Sequence, residues 1–111
     1  MIKASDVLLD HIAEHITRIE KSVGTITKED FFQDVDIQDA IVRRLEIIGE
    51  AVRNLPPDLK ARHPDIPWQD IADMRNKLIH EYFEVDVELV WDVVQRHIPP
   101  LRARVQELLK M

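Results

Sequence analysis

The sequence contains no cysteine, so disulfides, thiolate metal sites and cysteine nucleophiles are excluded together. Glycine is almost as scarce, with Gly24 and Gly49 alone in 111 residues. Sheet proteins spend glycine on hairpin turns and bulges, so this shortage argues against a β-rich fold. Long apolar runs are missing as well. Stretches such as Val7 to Leu9 and Ala40 to Val42 fall far short of the roughly 20 residues that cross a bilayer. The opening, Met1 to Asp6, does not read as a secretory signal, and the expectation is a cytoplasmic domain without membrane association. Surplus positive charge is the last absence. Fifteen Lys and Arg face twenty-one Asp and Glu, for a net charge of -6, which excludes an indiscriminate nucleic-acid binder.

What is present reads as helix. Leu8, Ile12, Ile16, Ile19 and Val23 recur at three- and four-residue steps, with Ser5 as a candidate N-cap and Gly24 as a left-handed stop. A second stripe runs Ile37, Ile41, Leu45, Ile48, Val52 and Leu55 until Pro56 and Pro57 end it, with a short capped turn from Thr27 before it. Residues 56–67 hold four of the six prolines and form the one long connection, with a helical turn near Leu59. A third helix starts at Pro67 and Trp68 and carries Ile71, Met74, Leu78 and Ile79. The last begins at Asp86, meets Pro99 and Pro100, which must kink or break it, and resumes through Leu101, Val105 and Leu108. The expectation is one all-α domain over residues 1–111, an up-and-down bundle of four to five helices. The long second stripe invites a helix–helix homodimer.

Two clusters of polar residues carry chemistry. His11, Glu14 and His15 match the H-x-x-E-H pattern of certain zinc proteases. Such a site needs a third ligand from another helix, while Ile12 and Ile16 beside the histidines claim the core face. They read as exposed helix histidines, and no metal or cofactor is expected. His63 and His97 precede prolines near helix ends and carry no further signal.

The second cluster is denser. Arg75, Asn76, Lys77, His80 and Tyr82 place two cations, an amide, an imidazole and a phenol within eight residues. On an ideal helix Asn76 and His80 share a face one turn apart, whereas Arg75 lies roughly 140° from His80. The two converge only if the Arg side chain wraps round, the helix loosens near His80, or a second copy contributes. The plain alternative is a polar helix end whose Lys and His suit the negative C-terminus.

The segment Asp70 to Tyr82 resembles the signature of the HEPN superfamily, an Arg followed after four to six residues by His. The Tyr two residues beyond the His narrows the resemblance to the HepT-like toxins of HEPN/MNT toxin–antitoxin pairs. Ala40 to Ala51 looks like that family's central helix, and Trp68, Val90 and Trp91 sit where the family commonly has them. The resemblance spans essentially the whole chain. It implies a HEPN-like fold and a metal-independent ribonuclease with Arg75 and His80 as catalytic residues. Asn76 and Lys77 are supporting or RNA-binding candidates, and equally readable as solvated surface. The resemblance also implies that Tyr82 is the AMP acceptor by which a partner MNT-type nucleotidyltransferase antitoxin silences the enzyme. A rim aromatic beside Phe83 is the alternative.

The chemistry fits those residue types. RNA carries its own nucleophile, the 2′-hydroxyl, so a base, an acid and a cation on the phosphoryl oxygens suffice. Histidine serves as acid or base near neutrality, and arginine matches phosphate with its fork. One chain offers one motif histidine while the reaction wants an acid and a base, which points to a dimer bringing two copies of Arg75 and His80 to one cleft. The competing functions are a non-catalytic HEPN partner or nucleotide-binding module that assists a nucleotidyltransferase, and a plain dimerisation domain. Charge is unevenly spread: residues 40–80 hold seven basic and six acidic groups, the only third that is not negative. The expectation is a narrow, locally positive cleft with acidic outer faces.

Overall fold

The structure, a computed structural model, describes residues 4–79 and 84–111. Helix α1 (Ala4–Val23) forms on the first apolar stripe, and Leu9, Ile12, Ile16, Ile19 and Val23 are buried along it. Two expectations about its ends change. Ser5 lies inside the first turn rather than capping it, and Gly24 is not in the left-handed region. The Gly24 amide instead continues the ladder by donating to the Glu20 carbonyl at 2.9 Å.

A capping box starts α2 (Lys28–Gln33). The Thr27 hydroxyl accepts from the Asp30 amide at 3.1 Å, and the Asp30 carboxylate accepts from the Thr27 amide at 3.3 Å. Asp34 then caps α3 (Val35–Arg53), accepting from the Ile37 amide at 3.1 Å. Gln38, the buried polar residue, donates to the carbonyls of Phe31 and Phe32 at 2.8 and 3.1 Å. The Phe31 carbonyl also accepts from the Asp34 amide at 3.3 Å, so the Gln38 amide supplements the bonds at the end of α2 where burial makes unpaired carbonyls costly.

The proline-rich connection contains α4 (Pro57–Arg62) and is fastened by Trp68, whose indole N–H donates to the carbonyls of His63 and Lys60 at 3.0 and 3.1 Å. Beyond it the expected single helix is two pieces, α5 (Trp68–Ala72) and α6 (Met74–Leu78), joined at Asp73. Ile79 is extended and forms an isolated antiparallel bridge with Val85. Asp86 caps α7 (Val87–Asp92), as its position anticipated, by accepting from the Leu89 amide at 3.1 Å.

The regular α-helix is interrupted ahead of Pro99 and Pro100, as expected, but the chain stays helical through the interruption. The two prolines occupy the first turn of α8 (Ile98–Lys110), and the chain reaches them through a π-helical turn, Val93–His97. Neither proline has an N–H to donate back, and the wider turn absorbs the missing bonds: the Ile98 amide reaches the Val93 carbonyl.

The fold is all-α among the described residues, as expected. Helix α3 is its axis, packed against α1, α2, α5, α6 and α7, while α1 also packs on α8. Ile41, Leu45, Ile48 and Val52 of α3 are fully buried, each contributing about 1.5–3 kcal/mol by leaving water.

Gly49 lets α3 approach α5 closely. A Cβ there would fall 2.8 Å from the Ile71 carbonyl oxygen and 3.4 Å from that of Ala72. Both obstacles are backbone, which cannot swing aside. Gly49→Ala is therefore expected to lower stability by about 1–3 kcal/mol, despite alanine's better helix propensity. Chemical denaturation checks this; an unchanged or raised midpoint would contradict it.

Candidate functional site

The helix break at Asp73 coincides with a change of hydrogen-bond partners. Continuing α5 would need the Asn76 amide to bond the Ala72 carbonyl four residues back. That carbonyl is taken by Arg53, whose Nη2 donates to it at 3.0 Å. The Asn76 amide bonds the Asp73 carbonyl instead, at 3.0 Å. Arg53 also lies 3.8 Å from the Asp73 carboxylate and 3.9 Å from that of Glu50. One turn further along, Glu46 of α3 faces α6: its Oε2 lies 3.7 Å from Arg75 Nε and 3.9 Å from Arg43 Nη1. Glu46, Gly49 and Arg53 thus hold the start of the motif at three successive levels of one helix.

These residues line a groove of about 560 Å³ between α3 and the α5–α6 junction, which Leu8 of α1 also borders. Arg75 and Asn76 both line it. Lys77 does not. It is about 200° from Arg75 around the helix, pairs with Asp70 at 3.2 Å, and lines a separate apolar groove of about 500 Å³ beside α8. The structure therefore joins two of the five candidate residues and separates a third. His80 and Tyr82 lie outside the described residues.

The expected locally positive cleft needs correction. Arg43, Arg53 and Arg75 line the groove, but so do Glu46, Glu50 and Asp73, which leaves one chain's lining charge-balanced. Charge counted along the chain missed this because the acids that pair with these arginines lie in the same segment. Glu46 and Arg53 also escaped the sequence reading. The available signal was Gly49, a lone glycine inside a strong helical stripe, which marks a close backbone approach.

A family model described as ribonuclease HepT-like matches residues 12–108. The chain belongs to the HepT-like ribonuclease family. Among curated relatives of this HepT-like chain, a protein of Thermococcus cleftensis named as a probable ribonuclease HepT is 49% identical over 92% of this chain and 93% of its own. A protein of Caldanaerobacter subterraneus that carries a provisional RNase name is 44% identical over 92% of this chain and 91% of its own. A Methanocaldococcus jannaschii protein, named as a gamma-glutamylcyclotransferase with a provisional RNase portion, is 42% identical over 99% of this chain but only 50% of its own length. No solved structure matches significantly. Among the described residues of this HepT-like chain, no helix is long and apolar enough to cross a membrane.

The H-x-x-E-H histidines sit away from this groove, between α1 and α3. His11 is exposed, but His15 is half-buried, and its Nδ1 lies 3.4 Å from Arg44 Nη1. Glu14 turns outward to pair with Arg18 at 2.5 Å. A divalent cation at His15 would sit against the Arg44 guanidinium, so the arrangement opposes metal binding there. Burial, then the charges of Arg44 and Arg18, push the His15 imidazole below its usual value of 6.5.

The unfolded chain therefore binds the His15 proton more readily than the folded one. Stability from this residue is present above pH 6.5 and falls as pH drops below it. His15→Gln is expected to flatten the stability–pH curve between about pH 7 and 5. Urea denaturation at several pH values measures this, and a mutant curve as steep as wild type would contradict it.

Proposed function

We propose that the protein is a metal-independent endoribonuclease, the toxin of a HEPN/MNT toxin–antitoxin pair, and that the α3–α6 groove holds the scissile phosphodiester. The observation that carries this reading is Arg75 and Asn76 lining one groove in the first turn of α6, just ahead in sequence of the His80 that completes the family signature. Arg75 meets Glu46 through Nε, and among the described residues its Nη1–Nη2 edge has no partner. That free edge fits two phosphoryl oxygens. Asn76 adds an amide that can donate to the same phosphate.

The helix ends at Leu78, with the Ile79 amide still bonded to the Arg75 carbonyl at 3.0 Å and the backbone at Ile79 extended. His80 follows this exit directly, so the ideal-helix angle that sets it apart from Arg75 does not apply. In the proposed reaction the 2′-oxygen attacks phosphorus, a base takes its proton, and His80 protonates the departing 5′-oxygen. The products are a 2′,3′-cyclic phosphate and a free 5′-hydroxyl. A two-fold dimer would bring two such motifs, and with them two copies of His80, together. Lys77, in the other groove, contributes only long-range field.

Tyr82, two residues beyond the imidazole, is the proposed acceptor of AMP from a cognate nucleotidyltransferase. The added phosphate and nucleoside would compete with RNA for Arg75 and crowd the entrance.

Purified protein incubated with RNA in EDTA tests the chemistry. Cleavage with 2′,3′-cyclic phosphate ends is expected. Arg75→Ala should slow it by about 10²–10³-fold, and His80→Ala by at least as much. Metal-dependent cleavage, or full activity in either variant, would contradict the assignment. For regulation, Tyr82→Phe should keep ribonuclease activity and escape silencing by the nucleotidyltransferase with ATP; continued silencing through AMP transfer would refute the Tyr82 role.

A further inference from the structure

The groove contains one group that packing does not account for. Three-quarters of the Glu46 side chain is covered, leaving it 24% exposed. A partly covered carboxylate beside a cavity is open both to ion pairing and to a group that enters the cavity. Among the described residues Glu46 accepts none: its nearest cationic nitrogens, at 3.7 and 3.9 Å, lie beyond hydrogen-bond length. Its side chain instead lines the cavity beside Arg75 and Asn76. The lone pairs are left for something that enters the groove.

The reaction proposed above has a matching vacancy, because it needs a base as well as an acid and one chain offers a single motif histidine. We propose that Glu46 is the catalytic base for RNA cleavage, taking the proton of the 2′-hydroxyl while Arg75 holds the adjacent phosphodiester. The inference rests on the ribonuclease reading of this groove. As the 2′-O–H bond breaks, its proton goes to a Glu46 oxygen and its electron pair forms the new O–P bond. The P–O5′ bond then breaks, and the leaving oxygen takes a proton from His80. Glu46 becomes a neutral carboxylic acid and His80 a neutral imidazole, so charge and protons balance.

The spacing suits this division of labour. Base and phosphate-binding cation must flank a 2′-oxygen and a phosphorus on adjacent ribose positions, joined through C2′, C3′ and O3′, and Glu46 and Arg75 are neighbours across the groove. Both belong to one protomer. Acid and base chemistry then no longer requires a second histidine. The charged groups around Glu46 are Arg75 on α6, Asp73 at the α5–α6 junction, and Arg43, Glu50 and Arg53 on α3 itself; α1 contributes only Leu8 to the lining.

Three measurements on Glu46→Gln, with Arg75→Ala alongside, test the assignment. They are the single-turnover cleavage rate from about pH 3.5 to 8, a range that brackets ordinary carboxylate titration, the Kd for an uncleavable oligonucleotide carrying 2′-deoxyribose at the scissile position, and the Tm. Glu46→Gln should cleave about 10²–10⁴-fold more slowly at neutral pH and lose the acid-side limb of the pH–rate profile. Its Kd should stay within about threefold of wild type, because the base meets the 2′-position that the oligonucleotide lacks and not the phosphate, and its Tm should shift by no more than about 5 °C. Glu46→Asp should retain the acid limb at a reduced rate. Persistence of that limb in Glu46→Gln, or a loss below about tenfold, would overturn the base assignment. A tighter Kd with normal rate would also overturn it, making Glu46 a competitor of phosphate. Full activity in Arg75→Ala would instead sink the ribonuclease reading of the groove, whatever Glu46 does.

Discussion

The backbone of α3 at Gly49 touches the backbone of α5 at Ile71 and Ala72, with no room for a methyl group between them. Everything at the candidate site depends on that approach. It brings Arg53 near enough to donate to the Ala72 carbonyl at the residue where α5 ends. The chain restarts as α6 at Met74, and Arg75 in its first turn faces Glu46.

The same constraint explains which residues meet. With α6 laid along α3, Arg75 and Asn76 line one groove, and Lys77 turns to the other side, toward Asp70 and α8. Adjacent positions on a helix do not share a face, so a cluster dense in sequence divides in space. Each arginine in the groove faces a carboxylate, and none provides a bare positive surface. An anionic substrate therefore binds by matching a particular guanidinium edge, not by general attraction. This agrees with the chain's overall net charge of -6.

Much of the fold was legible because burial imposes a period. The stripes through Ile12 and Ile16, through Leu45 and Ile48, and through Val105 and Leu108 are buried helix faces. Caps at Thr27 and Asp86 are local chemistry and read equally well, whereas the cap at Asp34 was not anticipated. Tertiary effects did not show. The break at Asp73 coincides with the bond that Ala72 accepts from an arginine 19 residues away, and the π turn before Pro99 comes from bonds that two prolines withhold. Gly24 misled because its use at a helix end needs no left-handed backbone here. At the site, Arg75 and Asn76 were found through their motif, whereas Glu46 lies in a different helix with no motif of its own. The placement of Lys77 required knowing which side of α6 faces α3.

The central claim is that RNA enters the groove between α3 and α6. The most direct measurement is an NMR titration of isotope-labelled protein with the uncleavable oligonucleotide, following backbone amides and arginine Nε–H signals. The account predicts that the Arg75 Nε–H signal and the amides of Glu46, Gly49, Glu50 and Asn76 shift together and saturate at one affinity. Shifts confined to the other groove, at Lys77, Leu101 and Arg104, or an unmoved Arg75 signal, would contradict it.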